Sequence, residues 1–470
     1  MIKRFAIASV LFAMILSILN STSATASSIF GTTGNLPISI GIDSSGNVYT
    51  ANYSSNTVTK FTPSGIATNI SLAGGTGPMS LAIDSSGNVY TANNGTDNVT
   101  KITPSGVASI LGTTGVGPVS ITVDRDGNVY TVNSHAGTDE VTKITPAGVS
   151  ITLGTTGENP QWITIDQSGN LFVTNWSDDN VTKITPDGTS TIFGTTGDRP
   201  LGIAVDSSGN VYTSNYGDNT VTKITSDGVS TVLGTTGSNP YGVVLDSSGN
   251  VFTANYSSNN VTKISRAGVS SVLGATGAGP FALAFDSFGN LFSANYGANN
   301  VSKFSVPGSL TINSVAGGDK RLVVSFSLAS DGGETMIDYE YSINGGSYLS
   351  AGTTSSPLTI TGLSGRTTYS ISLKARNTVG LSSVSNTLSA TTRDSALDAS
   401  EQAAEQAAAK RVKEQRELTE LLSLIPAIGI LALRLGKITN KANRTKCLKN
   451  KEVRYIKKGK ACPKGFVRAR

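Results

Sequence analysis

One segment of about 40 residues recurs seven times, and this period limits the fold more than any other property of the chain. Copies resembling P-x-x-I-x-I-D-S-S-G-N-V-Y-T-A-N-Y-x-x-N-x-V-T-K-I-T-P-x-G begin at Pro37, Pro78, Pro118, Pro160, Pro200, Pro240 and Pro280. The steps are 41, 40, 42, 40, 40 and 40 residues. Each copy holds four short runs rich in Val, Ile, Thr and Tyr, separated by Gly, Asp, Asn and Pro. In the fifth copy they are Leu201–Val205, Asn210–Asn215, Thr220–Thr225 and Val229–Leu233. Four strands in about 40 residues is the size of one β-propeller blade, and no copy has the apolar period of a helical solenoid.

The copies also predict how such a ring closes. The seventh stops at Phe304-Ser305-Val306-Pro307-Gly308, short of a fourth strand. The missing piece lies upstream: Ser28-Ile29-Phe30-Gly31-Thr32-Thr33-Gly34 matches Thr191-Ile192-Phe193-Gly194-Thr195-Thr196-Gly197 at all but one position. The N-terminal strand is therefore expected to complete the seventh blade and to remove an open sheet edge. The expected fold class is all-β: a seven-bladed β-propeller, a β-sandwich after it, and a C-terminal helical segment with a basic tail.

The D-x-x-G-N-V-Y hairpin and the following V-T-K-I-T-P-x-G resemble NHL-type and streptogramin-lyase-type propellers over about residues 28 to 307. The resemblance implies the fold; activity depends on the residues of the site. In streptogramin lyases the second strand resembles W-F-T-E, and a His and a Glu act near a metal. Here Asn52, Asn93, Asn133, Asn175, Asn215, Asn255 and Asn295 stand at the Glu position, and Asn is neither general acid nor general base. Gluconolactonase-like propellers hold a divalent cation at the channel mouth with Glu, Asn and Asp, and the Asn ring could contribute to such a site. The propeller region holds two Glu, Glu140 and Glu158, and the chain's single His, His135. No catalytic residue and no metal ligand is assigned, and no cofactor is expected. A divalent cation in the central channel is the open alternative.

The turns after strands one and three hardly vary, whereas those after strands two and four do. In an up-and-down blade the two variable loops share one face, where binding concentrates on a regular scaffold. Candidate ligand-binding residues there are Tyr53, Asp97, His135, Asp139, Trp176, Asp178, Tyr216, Asp218, Tyr256 and Tyr296. Aromatic plates beside Asn and Asp suit sugars, cations or a peptide; the competing reading has the aromatics capping blade interfaces. Asp124-Arg125-Asp126-Gly127-Asn128 lacks the remaining ligands of a calcium loop and reads as a turn. The recurring lysines (Lys60, Lys101, Lys143, Lys183, Lys223, Lys263, Lys303) read as a solvated face that discourages stray strand pairing.

The flanking segments supply an address. Residues 1–26 read as a secretory signal peptide: Lys3-Arg4, an apolar run to Leu19, then Ala24-Thr25-Ala26. Residues 27–307 are assigned to the propeller. Residues 308–393 alternate as strands and resemble a fibronectin type III domain, with Leu363 and Tyr369 at its tyrosine corner. Residues 394–433 read as a helical linker, and 434–470 as a basic module with a Cys447–Cys462 disulfide. From residue 396 onward the charge is +11, while residues 27–395 carry −8, so the basic pI belongs to the tail and nucleic acid is not an expected partner. The expected protein is extracellular, non-catalytic and recognition-type. It would bind a glycan, peptide or wall polymer, with the tail on an anionic envelope surface. The alternatives are a metal-dependent lyase or lactonase, and a purely structural surface protein.

Overall fold

The computed structural model describes residues 25–135, 139–332, 335–423, 444–449, 452–457 and 459–468. The expected signal peptide falls almost wholly on residues 1–24, outside the described residues, as does most of the apolar stretch after Ser423. The chain divides into two units, residues 1–392 and 393–470.

The described residues of the repeats build a β-propeller of antiparallel four-strand sheets. Sheets one to six take their strands in sequence order from residues 37–71, 78–113, 118–155, 160–195, 200–235 and 240–275. The seventh joins Pro280–Phe285, Leu291–Asn295 and Asn300–Phe304 to the N-terminal strand Ser28–Thr32, where Ser28 pairs with Lys303 and Thr32 with Asn300. Thr25–Ala26 runs parallel to the outer strand of sheet six. First strands contact one another in sequence order, and Pro280–Phe285 contacts Pro37–Ile42.

Burial explains the composition of each strand. Second strands such as Val48–Asn52 are buried at every residue, because both their faces pack against neighbouring sheets, while fourth strands such as Ala67–Ser71 face water. In the first turn, the Asp43 carboxylate accepts from the Ser45 and Asn47 backbone N–H groups, both at 2.9 Å, from Asn47 Nδ2 at 2.8 Å and from Tyr49 Oη at 3.0 Å. Gly46 supplies the positive φ of 80°. Asp124 binds its own turn in the same way. Each repeated lysine lies over an aromatic ring: Lys60 is 5.4 Å from the Tyr49 centroid and Lys223 5.7 Å from that of Tyr212.

Within the same unit, residues 310–391 form two facing antiparallel sheets. One joins Leu310–Gly318, Arg321–Leu328 and Leu358–Ile360; the other joins Leu349–Ser350, Met336–Ile343, Thr368–Asn377 and Leu388–Thr391. They share a core of Ile312, Val324, Phe326, Tyr339, Ile371 and Leu373. In the second unit, Ser395–Ser423 is a 29-residue helix. A small sheet contains Arg444–Lys449, Glu452–Lys457 and Val467–Arg468. Among the described residues no helix is long and apolar enough to cross a membrane.

Candidate functional site

The variable loops of each sheet are stitched together by backbone bonds. The loop after the second strand donates to the loop preceding the first strand: Tyr53 N to Leu36 O at 3.0 Å, Trp176 N to Asn159 O at 3.1 Å and Tyr216 N to Arg199 O at 3.0 Å. Backbone pairing thus fixes where the loop side chains stand.

Four of the expected aromatics join one cluster. Trp176 and Tyr216 have ring centroids 5.3 Å apart, and Tyr256 and Tyr296 are 6.2 Å apart. Tyr241 links the two pairs, at 5.5 Å from Tyr216 and 5.1 Å from Tyr256. Phe281 lies 4.3 Å from Tyr241 and 5.9 Å from Tyr296, and Trp162 lies 6.2 Å from Phe281. Arg199 covers Trp176 at 5.9 Å and pairs with Asp198 at 3.8 Å. Tyr53 is 39% exposed and makes no ring contact among the described residues. The aromatic surface therefore spans sheets four to seven, while Asn94 and Ser134 occupy the equivalent positions of sheets two and three.

Tyr241, Phe281 and Trp162 escape the sequence reading, whereas Arg199 stands out in a variable loop after a fourth strand. The three lie on first strands, one or two places after the repeat proline, where the other copies carry Ile, Val, Met, Leu, Gln, Ser, Gly or Ala. Their departure from that pattern is the signal. The channel is lined by first-strand residues Ser39, Ser80, Ser120, Trp162, Gly202, Gly242 and Ala282. Gly202 makes room for the indole, since a Cβ there would stand 2.9 Å from Trp162 Cζ3.

The expected carboxylates have structural partners. Asp97 Oδ1 accepts from Gly117 N at 2.8 Å and Asp139 Oδ2 from Asn159 N at 3.1 Å, each reaching the loop that leads into the next sheet. Asp178 accepts from Glu158 N at 2.8 Å and Asp218 from Asp198 N at 3.2 Å. His135 is exposed beside residues 136–138, which lie outside the described residues. Glu140 accepts from Thr152 Oγ1 at 3.1 Å. Among the described residues no group of three or more His, Cys, Asp and Glu side chains could hold a metal. The asparagine ring lies on second strands and is fully buried. Asn175 Nδ2 donates to Asn180 Oδ1 at 2.6 Å and to Thr182 Oγ1 at 2.8 Å, and its Oδ1 accepts from Gly157 N. These amides support the loops; the channel wall is built from other residues.

Electrostatically the cluster is a neutral surface with polar edges. Burial, reinforced by the neighbouring phenols of Tyr216, Tyr256 and Tyr296, pushes the Tyr241 hydroxyl up to about 12, so it keeps its proton at neutral pH. Such a surface stacks on planar or apolar ligand faces and donates hydrogen bonds from phenols.

The Virginiamycin B lyase family profile matches residues 24–304. The chain belongs to that family. The match covers the propeller sheets and ends before the second pair of sheets. Among solved structures, selenomethionine-substituted virginiamycin B lyase from Staphylococcus aureus has 18% identity and a TM-score of 0.51, over 57% of this chain and 94% of that one. A streptogramin B lyase has 17% identity and a TM-score of 0.53, over 57% and 93%. The WD40 β-propeller domain of Doa1 has 14% identity and a TM-score of 0.51, over 60% and 97%. At these identities the likeness is one of fold. No curated protein matches the chain.

Proposed function

We propose that this member of the Virginiamycin B lyase family is an extracellular recognition protein whose aromatic sector, from Trp176 to Tyr296, holds a neutral ligand such as a sugar segment of a wall polymer. The single observation that carries the reading is the continuous chain of ring contacts over four sheets, with Tyr241 at its centre. The surrounding carboxylates serve as acceptors for backbone N–H groups, which favours a preorganised binding face over proton transfer.

The wider proposal reads the sheets as seven blades closed by the N-terminal strand, exported by a signal peptide cut near Ala26. The following sandwich is read as a fibronectin type III domain. Its support is the bond from Ser364 N to Tyr369 Oη at 3.0 Å, the pattern of a tyrosine corner. The basic tail is read as an anchor to an anionic envelope surface, stapled by Cys447 and Cys462. In support, Cys462 is in disulfide form.

Both tryptophans of the chain, Trp162 and Trp176, belong to the aromatic cluster, so selectively excited tryptophan fluorescence reports on this site. Titrating the full chain with a panel of glycans and wall polymers, with calcium and with chelator, tests the reading. The expected result is a saturable fluorescence change weakened at least roughly ten-fold by Trp176→Ala. No response across the panel overturns it. Family membership favours a second reading, lyase activity on a streptogramin; conversion of virginiamycin B by the full chain would establish that activity instead.

A further inference from the structure

The turns after strands one and three lie at the opposite ends of the strands from the aromatic surface. There, neighbouring sheets leave grooves between them, and the chain itself fills one. The turn after Thr368–Asn377 enters the groove between sheets six and seven. Val379 is 2% exposed among Phe252, Leu273, Leu283 and Phe304. Lys263 Nζ donates to the carbonyls of Thr378 at 3.5 Å and Val379 at 3.4 Å. Asn377 shapes the turn by accepting from Val379 N and Gly380 N, both at 3.0 Å, and ties it down by donating to Ser305 O at 2.7 Å. Burial holds the Lys263 ammonium below its ordinary range, as expected of a lysine covered by this turn.

Repeat equivalence shows what sets the room in each groove. At the position of Leu273, sheets four and seven carry Phe193 and Phe30. Those rings pack on Phe172 at 4.9 Å and on Phe292 at 5.0 Å, occupying the space themselves. Sheets three and five carry Leu153 and Leu233, which stay half-buried, whereas Leu273 beneath Val379 is 4% exposed. Open cavities of about 540 Å³ between sheets three and four and about 410 Å³ between sheets five and six remain; beside the docked turn the cavity is about 280 Å³. The lysine position takes backbone carbonyls elsewhere too, since Lys60 Nζ donates to Pro104 O at 3.3 Å. Lys143 and Lys223 face the open cavities with no such acceptor among the described residues. The sheet five–six cavity and the occupied one share Leu245, Asp246, Ser247 and Ser248 as lining.

We propose that these two grooves are docking sites for a partner protein presenting a turn of the Val379 kind. Such a turn carries one aliphatic side chain between small residues, with two successive carbonyls facing the lysine ammonium. The aliphatic group would cover Leu153 or Leu233, and the carbonyls would satisfy Lys143 or Lys223. The inference is independent of what the aromatic face binds.

The test uses the full chain and a peptide spanning residues 374–384 with a photoreactive diazirine side chain in place of Val379. Irradiation followed by mass spectrometry should place crosslinks on the segments holding Leu153 and Lys143, and Leu233 and Lys223. Leu153→Phe with Leu233→Phe fills both grooves as Phe193 and Phe30 do in their own sheets, and should abolish these crosslinks with the fold retained. Lys143→Ala with Lys223→Ala should weaken peptide binding roughly ten-fold. Crosslinks confined to the Phe252–Leu273 region would mean exchange with the chain's own turn and would overturn the proposal. So would the absence of saturable binding up to about 1 mM peptide, or binding indifferent to the phenylalanine substitutions.

Discussion

Asn299 Oδ1 accepts a hydrogen bond from the backbone N–H of Leu36 at 2.8 Å, joining positions 263 residues apart. Asn56, Asp97, Asp139, Asp179, Asn219 and Asn259 make the same bond to the backbone of the following sheet's leading loop. Six of these bonds follow the chain, and that of Asn299 returns to its beginning. Asn299 also has a positive φ of 52°, which Asn tolerates better than Ala. Asn299→Ala should therefore lower stability by about 1–2 kcal/mol, and Asn299→Asp should be nearly neutral because Asp serves at three equivalent positions. Denaturant midpoints of the two variants check this.

Acid should loosen the turns. Burial raises the carboxyls of Asp43, Asp84 and Asp206, but bonds from Asn47, Asn88 and Asn210 outweigh it and hold each below the ordinary 3.8. A depressed folded-state value contributes stability above the unfolded value and loses it as pH falls through the folded one. Thermal midpoints should stay level through the neutral range and drop below about pH 4. Replacing all three residues by Asn should lower the neutral plateau and flatten the acid slope.

Alkali acts on the tyrosines. Burial, then the neighbouring Asp206 charge, pushes Tyr212 up to about 12, and Tyr49, Tyr90 and Tyr130 are raised further by burial and then by their hydrogen bonds to Asp43, Asp84 and Asp124. A raised folded-state value contributes stability below the ordinary 10.0 and loses it as pH rises toward the folded value. A spectrophotometric titration should show exposed phenols ionising first. The buried group should ionise late and together with unfolding, and a single smooth transition for all 14 tyrosines would contradict this.

Removing the methyl groups that seat the turn after Thr368–Asn377 should be costly. Val379→Ala should destabilise by about 1.5–3 kcal/mol and raise amide exchange at Val379 and Gly380. The equally small change Val384→Ala, at a side chain that is 50% exposed, should leave both unchanged.

The sheets were legible because their cause is local. The V-Y-T-A-N run of Val48–Asn52 and its copies, with D-x-x-G-N between strands, recurs often enough to outweigh any single irregular residue. The final pairing was legible because Ser28–Gly34 copies Thr191–Gly197. The site was less so. Trp176 and Tyr216 stand out in variable loops, but Tyr241 and Phe281 lie on first strands whose neighbours form core, and their contact with the loop aromatics joins rings from different repeats. Asp97 and Asp139 look like free loop acids, because their partners lie 20 residues on in another repeat. Val379 carries no pattern at all: one aliphatic residue in a turn acquires meaning only from the groove that receives it.

The pairing of Ser28 with Lys303 also sets an order in time. A ribosome adding about 5–20 residues per second makes the first strand of this propeller roughly 14–55 s before its partner. Throughout that interval the earliest segment has no native neighbour within its own sheet, and sheet seven cannot be finished by any portion of the chain short of residue 304. Sheets one to six can form as their strands emerge, but completion of sheet seven is a terminal event. A factor that shields Ser28–Thr32 during synthesis would act on the step that commits the molecule to its final topology.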